Sequence, residues 1–316
     1  MNRISAMVNK MEIIRPTRRE FIKGAAALAA YSALPKGAEA LLGSGGTLRH
    51  KAPKPAVQHG FNTNTFFDDF TSLSTIDINN TLNPGYKWYV TLFNSLVGGP
   101  SNLSISNSIL TFTPNSSGLW ISTTGHYGTP ATKTVGTAIA QTGGYFECKM
   151  AFSPTNSGRS TSGPYWPAWW IDSIERENNL SSGSTSGYPL PELDCYEYEP
   201  GWGSLGTVHQ WNNNSSGPQN TNNALSLGSP TYTNFNRYGF LWLPQARNGG
   251  TGLFEWYFNG IPVSTVTHSS STTSPECPTG GTGVFSSAET NGTGLQLMIG
   301  SGAGWPIQVD YVTAWQ

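Results

Sequence analysis

The chain has 316 residues, 17 Lys+Arg against 18 Asp+Glu, and a formal net charge of −1. Only 11% of it is charged, while Gly (37), Trp (11) and Tyr (13) run high, a mixture that suits short strands and turns better than helices. Its aromatic content and near-zero charge exclude an ordinary disordered chain.

Ten of the 17 basic residues fall within the first 54 positions, so residues 55–316 hold seven Lys/Arg against fifteen Asp/Glu. Nucleic-acid binding needs a basic face to displace counterions from phosphate, and the body of this chain has none.

Residues 1–40 read as an export signal. Thr17-Arg18-Arg19-Glu20-Phe21-Ile22-Lys23 resembles the twin-arginine motif, and the apolar Gly24–Leu34 run leads to Ala38-Glu39-Ala40, an A-x-A cleavage signal. The run is too short to cross roughly 30 Å of hydrocarbon. No other stretch is long and apolar enough for a span, so a soluble mature protein is expected, periplasmic or extracellular. Residues 41–60, with Leu42-Gly43-Ser44-Gly45-Gly46 and Lys51-Ala52-Pro53-Lys54-Pro55, read as a flexible linker.

From Phe61 to Gln316 one continuous β pattern follows. Strands are expected at Tyr86–Phe93, Ser108–Thr113, Leu119–Thr123, Gly144–Phe152, Trp166–Asp172, Glu192–Glu199, Thr207–Trp211, Tyr238–Leu243, Leu253–Phe258, Ile261–Val266, Leu295–Ile299 and Ile307–Trp315. Asn259-Gly260 between two of them favours the type I′ turn of a two-residue hairpin. So many short strands without a convincing long helix point to a large all-β antiparallel sandwich. The loop Ser173–Pro191, rich in Ser, Gly, Asn and Pro, is a candidate wall of a binding site. Cys148, Cys195 and Cys277 are too few for a disulfide framework and match no zinc pattern. Cys148 and Cys195 lie in strand-like runs, where a thiol acts as a small buried hydrophobe.

The most unusual segment is Pro191-Glu192-Leu193-Asp194-Cys195-Tyr196-Glu197-Tyr198-Glu199-Pro200, with four acids in the eight positions from Glu192 to Glu199. Asp is poor in strands and like charges on one face repel, so these acids need a reason. Strand alternation puts Glu192 and Asp194 on one face, with Leu193 and Cys195 in the core. Strict alternation would send Glu197 into the core as well. One extra residue, a β-bulge near Cys195-Tyr196, returns it to the face of the other two. Acids sharing a site cannot all ionise cheaply, so one carboxylate can serve as nucleophile while another keeps its proton as general acid. That division suits glycosidic cleavage, with retention if the carboxyls approach ~5–5.5 Å.

Glu192-Leu193-Asp194-Cys195-Tyr196-Glu197 resembles the E-x-D-x-x-E signature of glycoside hydrolase family 16, which includes laminarinases, mixed-linkage β-glucanases, agarases and carrageenases. Further motifs fall in that family's order: Phe67-Asp68-Asp69-Phe70, Gly144-Tyr145-Phe146-Glu147-Cys148-Lys149-Met150, Trp166-Pro167-Ala168-Trp169-Trp170, Val208-His209-Gln210-Trp211, Trp256-Tyr257-Phe258-Asn259-Gly260 and Val309-Asp310-Tyr311-Val312. The resemblance covers about 61–316. It implies a concanavalin A-like jelly-roll sandwich of two antiparallel sheets with a concave substrate cleft. Glu192 would be the nucleophile and Glu197 the general acid, then base; Asp194 would tune its neighbours and hold the nucleophile. Cys195 departs from the usual aliphatic residue and Asn259 from the usual Asp. The family's segment matching Leu295–Gly304 does not align clearly.

Alternation sets Trp166 and Trp170 on one face and Trp169 on the other, so the Trp166/Trp170 pair is expected to line the cleft for sugar stacking while Trp169 fills the core. His209, two residues before Trp211 on the same strand face, is placed to meet substrate or the catalytic carboxylates; Trp211 is a further sugar contact. Glu199 reads as a solvated rim residue and Glu147 as a solvent or pairing residue. Carboxylate clusters also take Ca²⁺, but one straight strand cannot surround an ion, so no metal and no cofactor is assigned. The expected activity is endo-cleavage of a β-glucan, β-1,3 or β-1,3-1,4-linked, with retention. A lectin-like binding protein on the same fold and a cell-wall transglycosylase remain open alternatives.

Overall fold

The computed structural model describes residues 51–90, 100–114, 118–127, 133–139, 143–153, 167–174, 190–199, 203–211, 219–268, 295–302 and 305–316. The strands in chain order are β1 (Asn64–Asp68), β2 (Ile76–Asp77), β3 (Trp88–Tyr89), β4 (Leu103–Ser106), β5 (Ile109–Phe112), β6 (Leu119–Ser122), β7 (Thr124–Tyr127), β8 (Lys133–Gly136), β9 (Gly144–Phe152), β10 (Pro167–Ser173), β11 (Leu190–Glu199), β12 (Gly203–Trp211), β13 (Gln219–Ala224), β14 (Asn236–Leu243), β15 (Gly252–Phe258), β16 (Ile261–His268), β17 (Leu295–Ser301) and β18 (Ile307–Trp315). The first sheet runs β16-β15-β14-β9-β18-β5-β4, with β1 also on β18; the second runs β13-β12-β11-β10-β17-β6-β3-β2. β7 and β8 form a separate ribbon. Pairing is antiparallel except for β2 with β3. The expected all-β sandwich is therefore the observed fold.

Period-two alternation builds the core between the sheets. Phe146, Cys148, Met150 and Phe152 of β9, with Tyr238, Phe240 and Trp242 of β14, meet Trp169 and Ile171 of β10, Leu193 of β11 and Leu295, Leu297 and Ile299 of β17 in one buried cluster. Tyr196 of the second sheet packs on Tyr238 of the first with ring centroids 4.0 Å apart. The hairpin between β15 and β16 turns at Asn259 (φ 52°) and Gly260 (φ 82°), the two left-handed residues that a type I′ turn requires.

The expectation of a linker over 41–60 needs correction in its second half; residues 41–50 lie outside the described residues. Lys54–Gln58 forms a short helix, α1, started by Pro53 and Pro55. Its Ala56 is buried with Phe61, Tyr145, Leu241, Leu243, Tyr257 and Trp315 on the outer face of the first sheet. The Arg247 guanidinium lies 4.0 Å over the Phe61 ring and donates to the His59 carbonyl at 2.9 Å. Apolar residues in a Lys/Pro-rich stretch thus close a second, smaller core.

Of the two readings of Glu147, solvent or pairing, the structure has the second. It is buried, and its two carboxylate oxygens accept from the Tyr145 and Tyr311 hydroxyls, each at 2.7 Å. Cys148 and Cys195 are buried free thiols, pushed well above the usual thiol range by burial first. Cys277, the span 1–40 and most of the loop Ser173–Pro191 lie outside the described residues. Among the described residues, no helix is long and apolar enough to cross a membrane.

Candidate active site

β11 lies between β10 and β12, and its register contains the extra residue that the acid spacing demands. Against β10, Trp169 pairs with Tyr196 and Trp170 with Asp194, leaving Cys195 over. Against β12, Asp194 pairs with Thr207 and Glu197 with Leu205, so Cys195 and Tyr196 together oppose Gly206. This is a β-bulge in a central strand, at the expected position. Its consequence shows in burial. Leu193, Cys195 and Tyr196 all enter the core cluster, and Glu192, Asp194 and Glu197 share the opposite face.

Three further contacts hold the bulge. The indole Nε1–H of Trp256, from β15 in the facing sheet, donates to the Asp194 backbone carbonyl at 2.9 Å. The Tyr196 hydroxyl lies 3.0 Å from Ser204 Oγ, which lies 2.9 Å from the Tyr232 hydroxyl. Gly206 has no side chain because the Trp256 indole occupies the space where its Cβ would stand.

On the outer face, Glu192 is half-buried and Asp194 buried, and the register sets His209 directly across from Glu192. His209 Nε2 lies 2.8 Å from Asp194 Oδ2. One ligand-type atom from each of Glu192, Asp194 and His209 falls within 4.8 Å of the others, the spacing a small cation would need. Glu197, half-buried, is held well above its ordinary 4.5, first by burial, then by the Asp194 and Glu192 charges; His209 works in the other direction. These surroundings favour its protonated form.

The expected sugar contacts fare unequally. Trp169 fills the core and Trp170 lies on the carboxylate face across from Asp194, as alternation requires. Trp170 is only 5% exposed, because its ring packs edge-on to Trp120 at 5.0 Å with Ala168 and Met298 beside it. It is a wall of the site more than an open platform. Trp166 lies outside the described residues. Trp211 ends β12, paired with Leu190, and only its backbone is described.

Two residues of this face were not anticipated. Asp172, fully buried, pairs across β10–β11 with Glu192, and Gln296 of β17 pairs with Asp172 from the other side. Asp172 Oδ1 accepts from the Ser173 N–H at 2.8 Å. Gln296 Oε1 is met by the hydroxyls of Ser122 at 2.5 Å and of Thr124. A polar row thus crosses β17, β10, β11 and β12 through Gln296, Asp172, Glu192 and His209. Only the register reveals it. The sequence signal was an Asp following an apolar Trp-Trp-Ile run.

No family model matches the chain. It is 27% identical over 231 residues to the endo-1,3-1,4-beta-glycanase EglC of Rhizobium meliloti (strain 1021), a match covering 66% of this chain and 43% of that protein. The chain thus spans less than half the length of this relative. Among solved structures, an endo-1,3-beta-glucanase from Streptomyces sioyaensis superposes with a TM-score of 0.53 at 19% identity, over 80% of this chain and 95% of the other. Beta-agarase A from Zobellia galactanivorans gives a TM-score of 0.47 at 16% identity, over 73% and 82%. The chain is thus similar in sequence to a β-glycanase and has the sandwich fold of an endo-1,3-β-glucanase, in line with the family resemblance carried by its E-x-D-x-x-E segment.

Proposed function

We propose that this chain is an exported, endo-acting glycoside hydrolase of the family 16 type that cleaves β-1,3 or β-1,3-1,4 bonds of a glucan with retention. The observation that carries this reading is the bulge in β11, which sets Glu192, Asp194 and Glu197 on one outward face, where burial and the neighbouring acids favour the protonated form of Glu197. The curated relative, an endo-1,3-1,4-beta-glycanase by name, supports the substrate class. The resemblance of residues 17–23 to the twin-arginine motif supports export to the periplasm or beyond.

In the first step Glu192 attacks the anomeric carbon while Glu197 gives its proton to the leaving oxygen; the glycosidic bond breaks and a glycosyl–Glu192 ester forms. Glu197, now a carboxylate, takes a proton from a water that attacks the same carbon, and Glu192 leaves. Asp194, held by His209, keeps the nucleophile oriented between the steps. A sugar acceptor in place of water would give transglycosylation with the same residues.

Following laminarin and lichenan cleavage by proton NMR tests the reading. The β-anomer of the new reducing end should appear first and mutarotate later. First appearance of the α-anomer would contradict it. Binding of every glucan with cleavage of none would make the protein a lectin-like binder.

A further inference from the structure

The bulge in β11 interrupts the ladder, and a contact from outside the sheet can fix where the extra residue sits. The carbonyl of Asp194, the last residue in register before the bulge, accepts from Trp256, a fully buried side chain of the facing sheet whose ring also packs on Phe240 at 5.3 Å. The indole reaches across the core at the one place where β12 offers no side chain, Gly206, the residue opposite Cys195 and Tyr196. Three features therefore meet at one point: the backbone carbonyl at the edge of the bulge, an indole donor, and a glycine that leaves room for it. Without the indole donor the bulge loses this bond to the facing sheet, and a slide of the strand toward a regular ladder costs less. A one-residue slip turns every following side chain to the other face. The first acid after the bulge is Glu197, while Glu192 lies before it.

We infer that Trp256, with the space that Gly206 leaves for it, is a positioning residue for the general acid: by holding the Asp194 carbonyl it keeps the bulge formed and Glu197 aimed at the leaving oxygen. The inference rests on the functional reading above. It deepens that reading by assigning a role across the sandwich to a residue that touches neither substrate nor any carboxyl group. It also makes the effect selective. Loosening the bulge harms proton donation by Glu197 more than attack by Glu192.

The test compares kcat/KM on two substrates, a soluble β-glucan whose leaving sugar needs a proton and a 2,4-dinitrophenyl β-glycoside whose leaving group does not. Trp256→Phe keeps an aromatic ring and removes the donor. It should lower kcat/KM on the glucan by about tenfold or more, within the range that acid catalysis contributes, and leave the activated substrate within about twofold. Gly206→Ala, which pushes a methyl into the indole without altering Trp256, should produce the same split. Equal losses on both substrates, or no loss on either, would overturn the proposal. So would failure of both variants to fold by circular dichroism, which would assign the pair to stability alone. If the wild-type chain cleaves no β-glucan, the functional reading fails first, and that result is separate from any behaviour of the variants.

Discussion

Burial and the carboxylates of Asp194 and Glu192 hold the Glu197 proton on well above 4.5. The stability consequence has a definite sign. Between the ordinary value and the raised one, the folded state binds a proton that the unfolded chain has lost. Glu197 therefore costs progressively more stability as pH rises through that window, and costs nothing below it. A neutral isostere removes the cost. Glu197→Gln is expected to melt above wild type at pH 8 and equal to it near pH 4, with each 1 kcal/mol gained worth roughly 2–4 °C in Tm at this chain size. Thermal melts of both proteins at the two pH values check it. A loss of stability at pH 8 would mean that the carboxyl is stabilised as the anion, and Glu197 would lose its claim to be the acid. His209 belongs to the same scale. Its Nε2 stands 2.8 Å from Asp194 Oδ2, beside an acid that raises Glu197, and His209 itself works against that rise.

β11 alone carries the acids because one extra residue changes the face of everything after it. Inserting one alanine between Tyr196 and Glu197 would turn Glu197 toward the core and Tyr198 away from it. Burying an unpaired carboxyl or its protonated form, and exposing an aromatic ring, together cost on the order of 3 kcal/mol or more. The insertion should lower the urea midpoint substantially and abolish glucan cleavage, while Cys195→Ala, which keeps the bulge, should retain activity. Cleavage by the insertion variant would show that the face set by the bulge is not what aims Glu197. The bulge was legible from the sequence because four acids and three core-forming residues in one run cannot all be satisfied by alternation. β9 and β18 were legible to the residue, β9 because its apolar positions alternate cleanly and β18 by its apolar ends, although a register shift between Val309 and Tyr311 changes its parity. β13 was not: Gln219-Asn220-Thr221-Asn222-Asn223-Ala224 has no apolar face and pairs only with β12 at the sheet edge. α1 was missed for the opposite reason, as Lys and Pro masked the Ala56 and Phe61 that pack on the first sheet.

At the scale of the molecule, the sandwich works as two sheets with unequal duties. The second sheet presents the acids, and the first supplies the support behind them through Trp256, Tyr238 and the stacked rings of β14 and β15. The acid spacing within one strand was readable, because strand geometry is local. The Asp194–Trp256 contact, 62 positions apart, and the Asp172–Glu192 pairing were not, because they depend on which strands lie side by side and on which sheet faces which. The central claim is that Glu192 attacks the sugar and Glu197 protonates the departing oxygen from the same ribbon. Incubation with a 2-deoxy-2-fluoro-β-glucoside bearing a dinitrophenyl leaving group traps the attacking residue, and peptide mass spectrometry identifies it. The expected result is inactivation with one fluorosugar per chain on Glu192; label on Glu197 or another residue, or continued inactivation of Glu192→Gln with label elsewhere, would contradict it.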